Sequence, residues 1–175
     1  MNSLHIMKNQ RLKKLPDTMK QFLLISIFAL FTLFACNPDR IYESHHKDFK
    51  DYRWQKSKVL KFKPEISDTI SEHKIFLALR HVYGFQFEFM RVNVHMTSPS
   101  GKITDNKYTL QLSGPNKEYL SDCAEDICDL EVLIEENYKF NEIGTYVFQI
   151  ENDMPLDYLP NVMEFGLIIE RNTLE

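Results

Sequence analysis

Apolar and polar residues alternate with a period of two along most of the chain beyond residue 57. Because successive side chains of a strand point to opposite faces, this alternation predicts strands with one buried face and one exposed face. The apolar sets of the expected strands are Leu60 and Phe62; Ile75, Leu77 and Leu79; Phe85, Phe87 and Phe89; Met90, Val92, Val94 and Met96; Tyr108, Leu110 and Leu112; Leu130, Val132 and Ile134; Tyr146, Phe148 and Ile150; and Met163, Phe165, Leu167 and Ile169.

The phase of the alternation reverses between Phe89 and Met90. A shift of one residue moves every side chain to the other face, so the reversal predicts either a β-bulge or the junction of two strands. Gly101, within the segment Ser98–Lys102, and Gly144 both predict turns between strands, because glycine tolerates positive φ.

Short strands separated by turns, with no convincing amphipathic helix among them, predict an all-β fold. We expect a single antiparallel β-sandwich, either immunoglobulin-like or jelly-roll-like, with a closed barrel as the alternative. The strands assign residues 57–171 to this domain and leave residues 172–175 as a short C-terminal tail.

A different pattern precedes the strands, in which Phe22–Ala35 is apolar except for Ser26 and Thr32. This run is shorter than the roughly 20 apolar residues that a transmembrane helix needs. A basic segment followed by a short apolar run and a small residue is typical of a secretory signal peptide. The basic residues upstream are Lys8, Arg11, Lys13, Lys14 and Lys20.

The apolar run ends in the sequence Leu33-Phe34-Ala35-Cys36, which matches a bacterial lipoprotein box. In such a box the cysteine thiol forms a thioether to diacylglycerol, and the chain is cut before the cysteine. We therefore expect residues 1–35 to be a signal peptide and Cys36 to carry diacylglycerol and an acyl chain such as palmitate. A buried N-terminal helix that ends in cysteine is the alternative, and Met19 is a second candidate start of translation.

Removal of the signal peptide changes the charge of the chain. Five of the 21 Lys and Arg residues and one of the 25 Asp and Glu residues precede Cys36. The mature chain therefore has 16 basic and 24 acidic residues and a net charge of −8. Such an acidic chain has no general attraction for nucleic acid or for an anionic membrane surface. We expect the lipid on Cys36 to be its link to the bilayer and predict no other cofactor.

Residues 36–56 mix charged and aromatic side chains and are predicted to form the lipidated N-terminus and a tether. His45 and His46 lie in this segment, and we expect them to be solvated rather than metal ligands. His81 and His95 lie in expected strands, where a hydrogen-bonded or solvent-facing histidine is the ordinary interpretation. No metal site is predicted.

Cys123 and Cys128 are the other two cysteines of the chain. Export places them in an oxidising compartment, where a disulfide is the expected state. Two free thiols or a metal-binding pair are the alternatives, although no second cysteine or histidine pair lies nearby at ligand spacing.

The sequence contains no nucleophile elbow, phosphate-binding glycine loop or metalloprotease motif, and it has only five glycines. We therefore predict no catalytic residues and no enzymatic activity. The aromatic content supports one alternative, an envelope-displayed carbohydrate-binding module. In that alternative, Trp54 and Tyr83 would stack on the sugar.

Three segments together resemble the GldH-type gliding-motility lipoproteins of Bacteroidetes. They are LRHVYGF (residues 79–85), the F-x-x-x-G-T-Y-x-F-x-I run (residues 140–150) and the closing LPNVMEFGLIIE (residues 159–170). The resemblance covers nearly all of residues 36–171. It implies a non-enzymatic component of the gliding machinery and its linked type IX secretion system, with other envelope proteins as partners.

Residues after the lipoprotein box bear on the location of the protein. Asn37 follows Cys36, where an aspartate would indicate retention in the inner membrane of some Gram-negative bacteria. Asp39 is the only acidic residue among the first six, and Arg40 neutralises it. Surface export of lipoproteins in Bacteroidetes is associated with an acidic cluster at these positions. We therefore expect the protein at the periplasmic face of the outer membrane.

Overall fold

The computed structural model describes residues 38–173, which form antiparallel strands and one short 3-10 turn at Lys50–Tyr52 but no α-helix. In this part of the chain no helix is long and apolar enough to cross a membrane. The strands are β1 (Arg40–His46), β2 (Trp54–Gln55), β3 (Leu60–Phe62), β4 (Glu65–Ile66), β5 (His73–Val82), β6 (Phe89–Thr97), β7 (Ile103–Gln111), β8 (Asp122–Ala124), β9 (Ile127–Tyr138), β10 (Gly144–Thr145), β11 (Val147–Asn152), β12 (Tyr158–Leu159) and β13 (Val162–Arg171).

Two larger sheets form the two layers of the sandwich. The first has five strands in the order β1-β13-β5-β9-β8, and the second has four strands in the order β3-β11-β6-β7. Two-stranded ribbons, β4 with β10 and β2 with β12, accompany them. All of these pairs are antiparallel, so the prediction of an all-β antiparallel sandwich is confirmed.

The core lies between the two sheets. Leu77 and Leu167 come from the five-stranded sheet and Val92 and Ile150 from the four-stranded sheet, and all four are fully buried. Burial of such a side chain contributes roughly 1.5–3 kcal/mol each to stability. The alternating positions that the sequence assigned to the interior of β5, β6, β11 and β13 therefore form the core, with one exception. At the start of β13 a register shift buries Val162 instead of the predicted Met163.

The β6–β7 hairpin shows how local sequence sets register. Pairing runs without irregularity from Phe89 opposite Gln111 to Thr97 opposite Ile103. Gly101 closes the turn with a φ of 89°, a conformation that L residues other than glycine rarely adopt.

One polar contact joins the two sheets near β7 and β9. The Tyr108 hydroxyl donates a hydrogen bond to Glu135 Oε1 at 2.6 Å. Burial, reinforced by this carboxylate, raises the pKa of Tyr108 above its usual value, so the phenol stays protonated as a donor.

The prediction that residues 36–56 form a tether is wrong for the described part of that segment. Strand β1 pairs with β13 along its length, and Phe49 and Trp54 are buried in the core. The folded domain therefore begins at Arg40 rather than at residue 57. The sequence does not predict this strand, because six of its seven residues are half-buried and apolar and polar side chains do not alternate along it.

The prediction of a strand containing Phe85, Phe87 and Phe89 is also wrong. Residues 83–88 form a loop between β5 and β6, turned by Gly84 with a φ of 84°. Phe85 is buried and packs edge to face on Phe87, with 5.6 Å between ring centroids. The phase reversal thus marks the start of β6 at Phe89, not a bulge or a junction of two strands.

Candidate interaction surface

The outer face of the five-stranded sheet carries a row of residues with two small members at its centre. His45, Gly166, Ala78 and Glu131 lie opposite one another on β1, β13, β5 and β9. Ala78 lies in a shallow depression of about 370 Å³, which charged side chains surround. We call this depression and its charged rim the outer-sheet groove.

Glycine is required at position 166 because the neighbouring strand approaches closely. A Cβ atom placed there would lie 2.5 Å from His45 Nδ1 and 3.0 Å from the backbone oxygen of Ser44. Real Cβ atoms almost never approach other atoms to 2.5 Å, so any larger residue would push β1 away. The floor of the groove is therefore set by the packing of β1 on β13.

Arg40 lies beside the groove and binds three carboxylates, two of which, Glu43 and Glu131, line it. Its Nε lies 2.9 Å from Glu170 Oε1, its Nη1 3.0 Å from Glu43 Oε2, and its Nη2 3.2 Å from Glu131 Oε2. Partial burial disfavours the charge, but the hydrogen bonds that Arg40 donates to Glu43 and Glu170 outweigh it and raise the pKa of Arg40 above its usual value. One guanidinium thus links β1, β13 and β9.

Arg80 forms the other side of the groove. It holds Asp129 through two bonds, at 2.7 Å from Nε and 3.0 Å from Nη2, and Glu164 through Nη1 at 3.0 Å. Lys47 also reaches Glu164, at 3.3 Å. The hydrogen bonds that Arg80 donates to Asp129 raise the pKa of Arg80 above its usual value. A two-pronged guanidinium–carboxylate pair fixes the geometry of both partners.

These charges balance one another rather than forming a patch of one sign. Exposed ion pairs contribute little to stability, typically about 0–1 kcal/mol each. A fixed pattern of alternating charge around a concave floor instead offers specificity to a protein surface with the complementary pattern. Among residues 38–173, no three His, Cys, Asp or Glu side chains are placed to hold a metal ion.

The predicted lipidation site, Cys36, lies outside the described residues. Cys123 and Cys128 are joined in a disulfide, with 4.0 Å between their Cα atoms. They lie directly opposite each other on β8 and β9, and Glu125 takes a left-handed φ of 57° in the two-residue turn between the strands. The disulfide therefore closes an edge hairpin of the five-stranded sheet.

The carbohydrate-stacking pair of the sequence analysis does not form a platform. Trp54 is completely buried; it packs on Phe165 and donates a hydrogen bond from Nε1 to the Lys58 carbonyl at 2.9 Å. Tyr83 is 56% exposed and contacts Tyr119 edge to face. A buried indole cannot stack on a sugar ring, so the assignment of Trp54 to glycan binding is wrong.

The adjacent histidines of β1 do not converge on one point. His45 Nε2 lies 3.1 Å from Glu43 Oε1 on the groove side. His46 packs edge to face on Phe62 and has its Nε2 3.1 Å from the Lys61 carbonyl. Their alternation along a strand sends them to opposite faces of the sheet.

Two other histidines are fully buried, a property that the sequence pattern did not reveal. His81 Nδ1 donates to the Val82 carbonyl at 3.0 Å, which leaves Nε2 to accept from the Ser121 hydroxyl at 2.8 Å. His73 packs edge to face on Phe140, and its nitrogens make no hydrogen bond of good geometry. Burial lowers the pKa of both rings below the usual value of histidine.

The fold and this surface define a β-sandwich domain with a charge-paired outer sheet and a disulfide-closed edge. The model of the GldH lipoprotein family matches residues 40–169. The chain belongs to the GldH lipoprotein family, a family of gliding-motility lipoproteins, and lipoproteins of this kind are membrane-anchored in the cell envelope. This confirms the resemblance found in the sequence.

Two curated relatives are similar to the chain. The gliding motility lipoprotein GldH homolog of Christiangramia forsetii is 21% identical over 155 residues, covering 85% of this chain and 94% of the relative. The gliding motility lipoprotein GldH of Flavobacterium johnsoniae is 23% identical over 127 residues, covering 73% of this chain and 77% of the relative.

Two solved structures also match, at low similarity. The Yersinia pseudotuberculosis-derived mitogen has a TM-score of 0.33 and 7% identity, covering 77% of this chain and 87% of that chain. The CBM35 from Cellvibrio japonicus Abf62 has a TM-score of 0.30 and 10% identity, covering 77% of this chain and 100% of that chain.

Proposed function

We propose that this protein is a non-enzymatic component of the gliding machinery and its linked type IX secretion apparatus, and that it acts through contacts with other envelope proteins. The match of the GldH lipoprotein family model to residues 40–169 carries the proposal. That match begins at the first residue of β1 and ends within β13, so it includes the residues that line the outer-sheet groove.

Lipidation of Cys36 holds the protein at the periplasmic face of the outer membrane. Each buried methylene of an acyl chain contributes about 0.8 kcal/mol, and two or more chains anchor a protein stably where one chain does not. Because the mature chain has a net charge of −8, electrostatic attraction to an anionic membrane surface cannot replace this anchor.

The outer-sheet groove is the docking surface for a partner protein in this proposal. Arg40 and Arg80 are already held by carboxylates, so a partner would meet a preformed pattern and order few side chains on binding. Less ordering means a smaller entropic cost of association. Leu133, which is 42% exposed beside this face, adds an apolar contact.

Site-specific photocrosslinking in intact cells tests this docking surface. A photoreactive residue at Leu133 should capture an envelope protein, identified by affinity purification from envelope fractions. The matched control is Lys107, exposed on the outer face of the four-stranded sheet, where we expect no capture of that protein. Equal capture from both positions would rule out the outer-sheet groove as the specific docking surface.

Deletion tests the role itself. We expect loss of this lipoprotein in a gliding-competent host to abolish surface gliding and reduce secretion of type IX cargo, with both restored by the wild-type gene. A deletion strain that glides and secretes normally would refute the proposed role, whatever the crosslinking shows.

A further inference from the structure

Three isoleucines project from the domain with unusually high exposure. Ile70, Ile143 and Ile103 are 86%, 67% and 64% exposed, more than any other large apolar side chain that the structure describes. Ile70 lies in the β4–β5 loop, Ile143 in the β9–β10 loop, and Ile103 at the first position of β7. Aliphatic side chains that are exposed singly need no explanation, but a group of them at one end of a domain indicates a surface that is covered in the working state.

Ile103 and Ile143 lie at the same end of the sandwich. Glu142 accepts hydrogen bonds from the Ser98 hydroxyl at 2.9 Å and the Ser100 amide at 2.8 Å, which ties the β9–β10 loop to the β6–β7 turn. Ile143 follows Glu142 directly, and Ile103 leaves that turn opposite Thr97. The two loops are therefore packed on each other.

Ile70 belongs to the same end. Strand β10 pairs with β4, so Gly144 lies opposite Ile66 and the β4–β5 loop starts beside Ile143. The carboxylate of Asp68 accepts a hydrogen bond from the Ile70 amide at 2.8 Å, which fixes the loop that presents this side chain. Lys139 and Glu72 form an ion pair at 3.9 Å between the two loops.

The chain also enters the domain at this end. The Arg171 amide donates to the Asp39 carbonyl at 2.7 Å, and Arg171 Nε lies 3.8 Å from Asp68 Oδ2 in the loop that carries Ile70. Pro38 is the first described residue, two positions after Cys36. Two residues span at most roughly 7 Å, which is comparable to the depth of the lipid headgroup layer.

We propose that Ile70, Ile103 and Ile143 form a membrane-contact end that rests on the lipid surface holding the anchor, an inference that depends on the proposed acylation of Cys36. The occupant of this end is the bilayer because Pro38 enters the domain here and only Asn37 separates it from Cys36, a connection too short to lift the domain away. Contact comes from burial of aliphatic groups, since the mature chain is acidic.

Tryptophan fluorescence in vesicles tests the contact. The acylated full mature lipoprotein carrying Ile143→Trp is reconstituted into zwitterionic phosphatidylcholine vesicles with brominated acyl chains, which quench indole in the membrane. Trp54 is the only native tryptophan and is fully buried, so it supplies a constant background. Ile70→Trp and Ile103→Trp extend the measurement to the other two positions.

The matched control is Leu156→Trp, at an exposed position of the opposite end. Leu156 lies between β11 and β12, where the Asp153 amide bonds to the Arg91 carbonyl near the start of β6. We expect a blue shift and strong loss of emission for the three isoleucine positions and little change for Leu156→Trp.

Mass spectrometry of the same samples separates failure of this inference from failure of the anchor. If Cys36 is acylated and Ile143→Trp is quenched no more than Leu156→Trp, the membrane-contact end is refuted while the proposed anchor stands. If Cys36 carries no lipid, the anchor is refuted and the membrane-contact end is refuted with it.

Discussion

Gly166 is the residue on which the outer-sheet groove most directly depends. Its missing side chain lets His45 of β1, which lines the groove, lie directly over β13. The sequence shows a glycine inside an otherwise apolar run, which indicates a close approach of another group. It does not show which group approaches, because β1 lies about 120 residues away along the chain.

We expect Gly166→Ala to destabilise the domain by about 1–3 kcal/mol, because the new methyl group overlaps the His45 ring and β1 must shift. Urea unfolding followed by circular dichroism measures the loss. The double variant His45→Ala, Gly166→Ala should recover part of it, since only the contact with the Ser44 carbonyl then remains. Full additivity of the two substitutions would contradict this explanation.

At the scale of elements, alternation identifies strands that have one buried and one exposed face. β13 was predicted as well, although residues 165–169 are buried on both faces. β6 alternates through Met90, Val92, Val94 and Met96, so its pattern is unambiguous. β1 was missed because it is an edge strand that is half-buried along its length. The two-residue strands β2 and β12 are too short to show a period at all.

Among the candidate site residues, some features were likewise predictable from the sequence and others were not. The pairing of Cys123 and Cys128 was predictable because export places these two cysteines, the ones left besides Cys36, in an oxidising compartment. Trp54 was misread as a surface platform because an isolated tryptophan outside an alternating run gives no indication of its depth. The convergence of Arg40 on Glu131 depends on the order of strands in the sheet, which local periodicity does not contain.

The β8–β9 hairpin is an element whose stability depends on its disulfide. We expect the variant Cys123→Ser, Cys128→Ser to lose about 2 kcal/mol of unfolding free energy, the loop-closure entropy of so short a ring. Denaturant unfolding with and without dithiothreitol provides the measurement. The reductant should destabilise the wild type and leave the double variant unchanged; an equal response of both proteins would show that the disulfide does not contribute.

At the scale of the whole molecule, the two buried histidines make the stability of the sandwich depend on pH. Burial lowers the pKa of His73 below the usual 6.5, with the Asp68 carboxylate opposing the shift and Arg171 adding to it. The unfolded chain therefore binds more protons than the native state once the pH falls below about 6.5. Stability is fully present above that pH and is lost as the pH decreases through it.

We expect the unfolding free energy to fall by up to about 1.4 kcal/mol per pH unit for each such histidine below pH 6.5. His73→Phe keeps an aromatic ring against Phe140 and removes the titrating group. Urea unfolding at pH 7.5 and pH 5.5 should give a smaller difference for this variant than for the wild type. An unchanged difference would exclude His73 as a source of the pH dependence.

The pairing of β1 with β13 also has a consequence for the timing of folding. The first and last long strands of the domain are neighbours, so their contacts join residues about 130 positions apart, as for Arg40 and Glu170. Such distant contacts slow folding, because the entropy of closing a long loop opposes it before the contact forms. The five-stranded sheet cannot be completed until the C-terminal strand has left the translocation channel. If the N-terminus is attached to the membrane early, β1 therefore stays unpaired there until β13 has been exported.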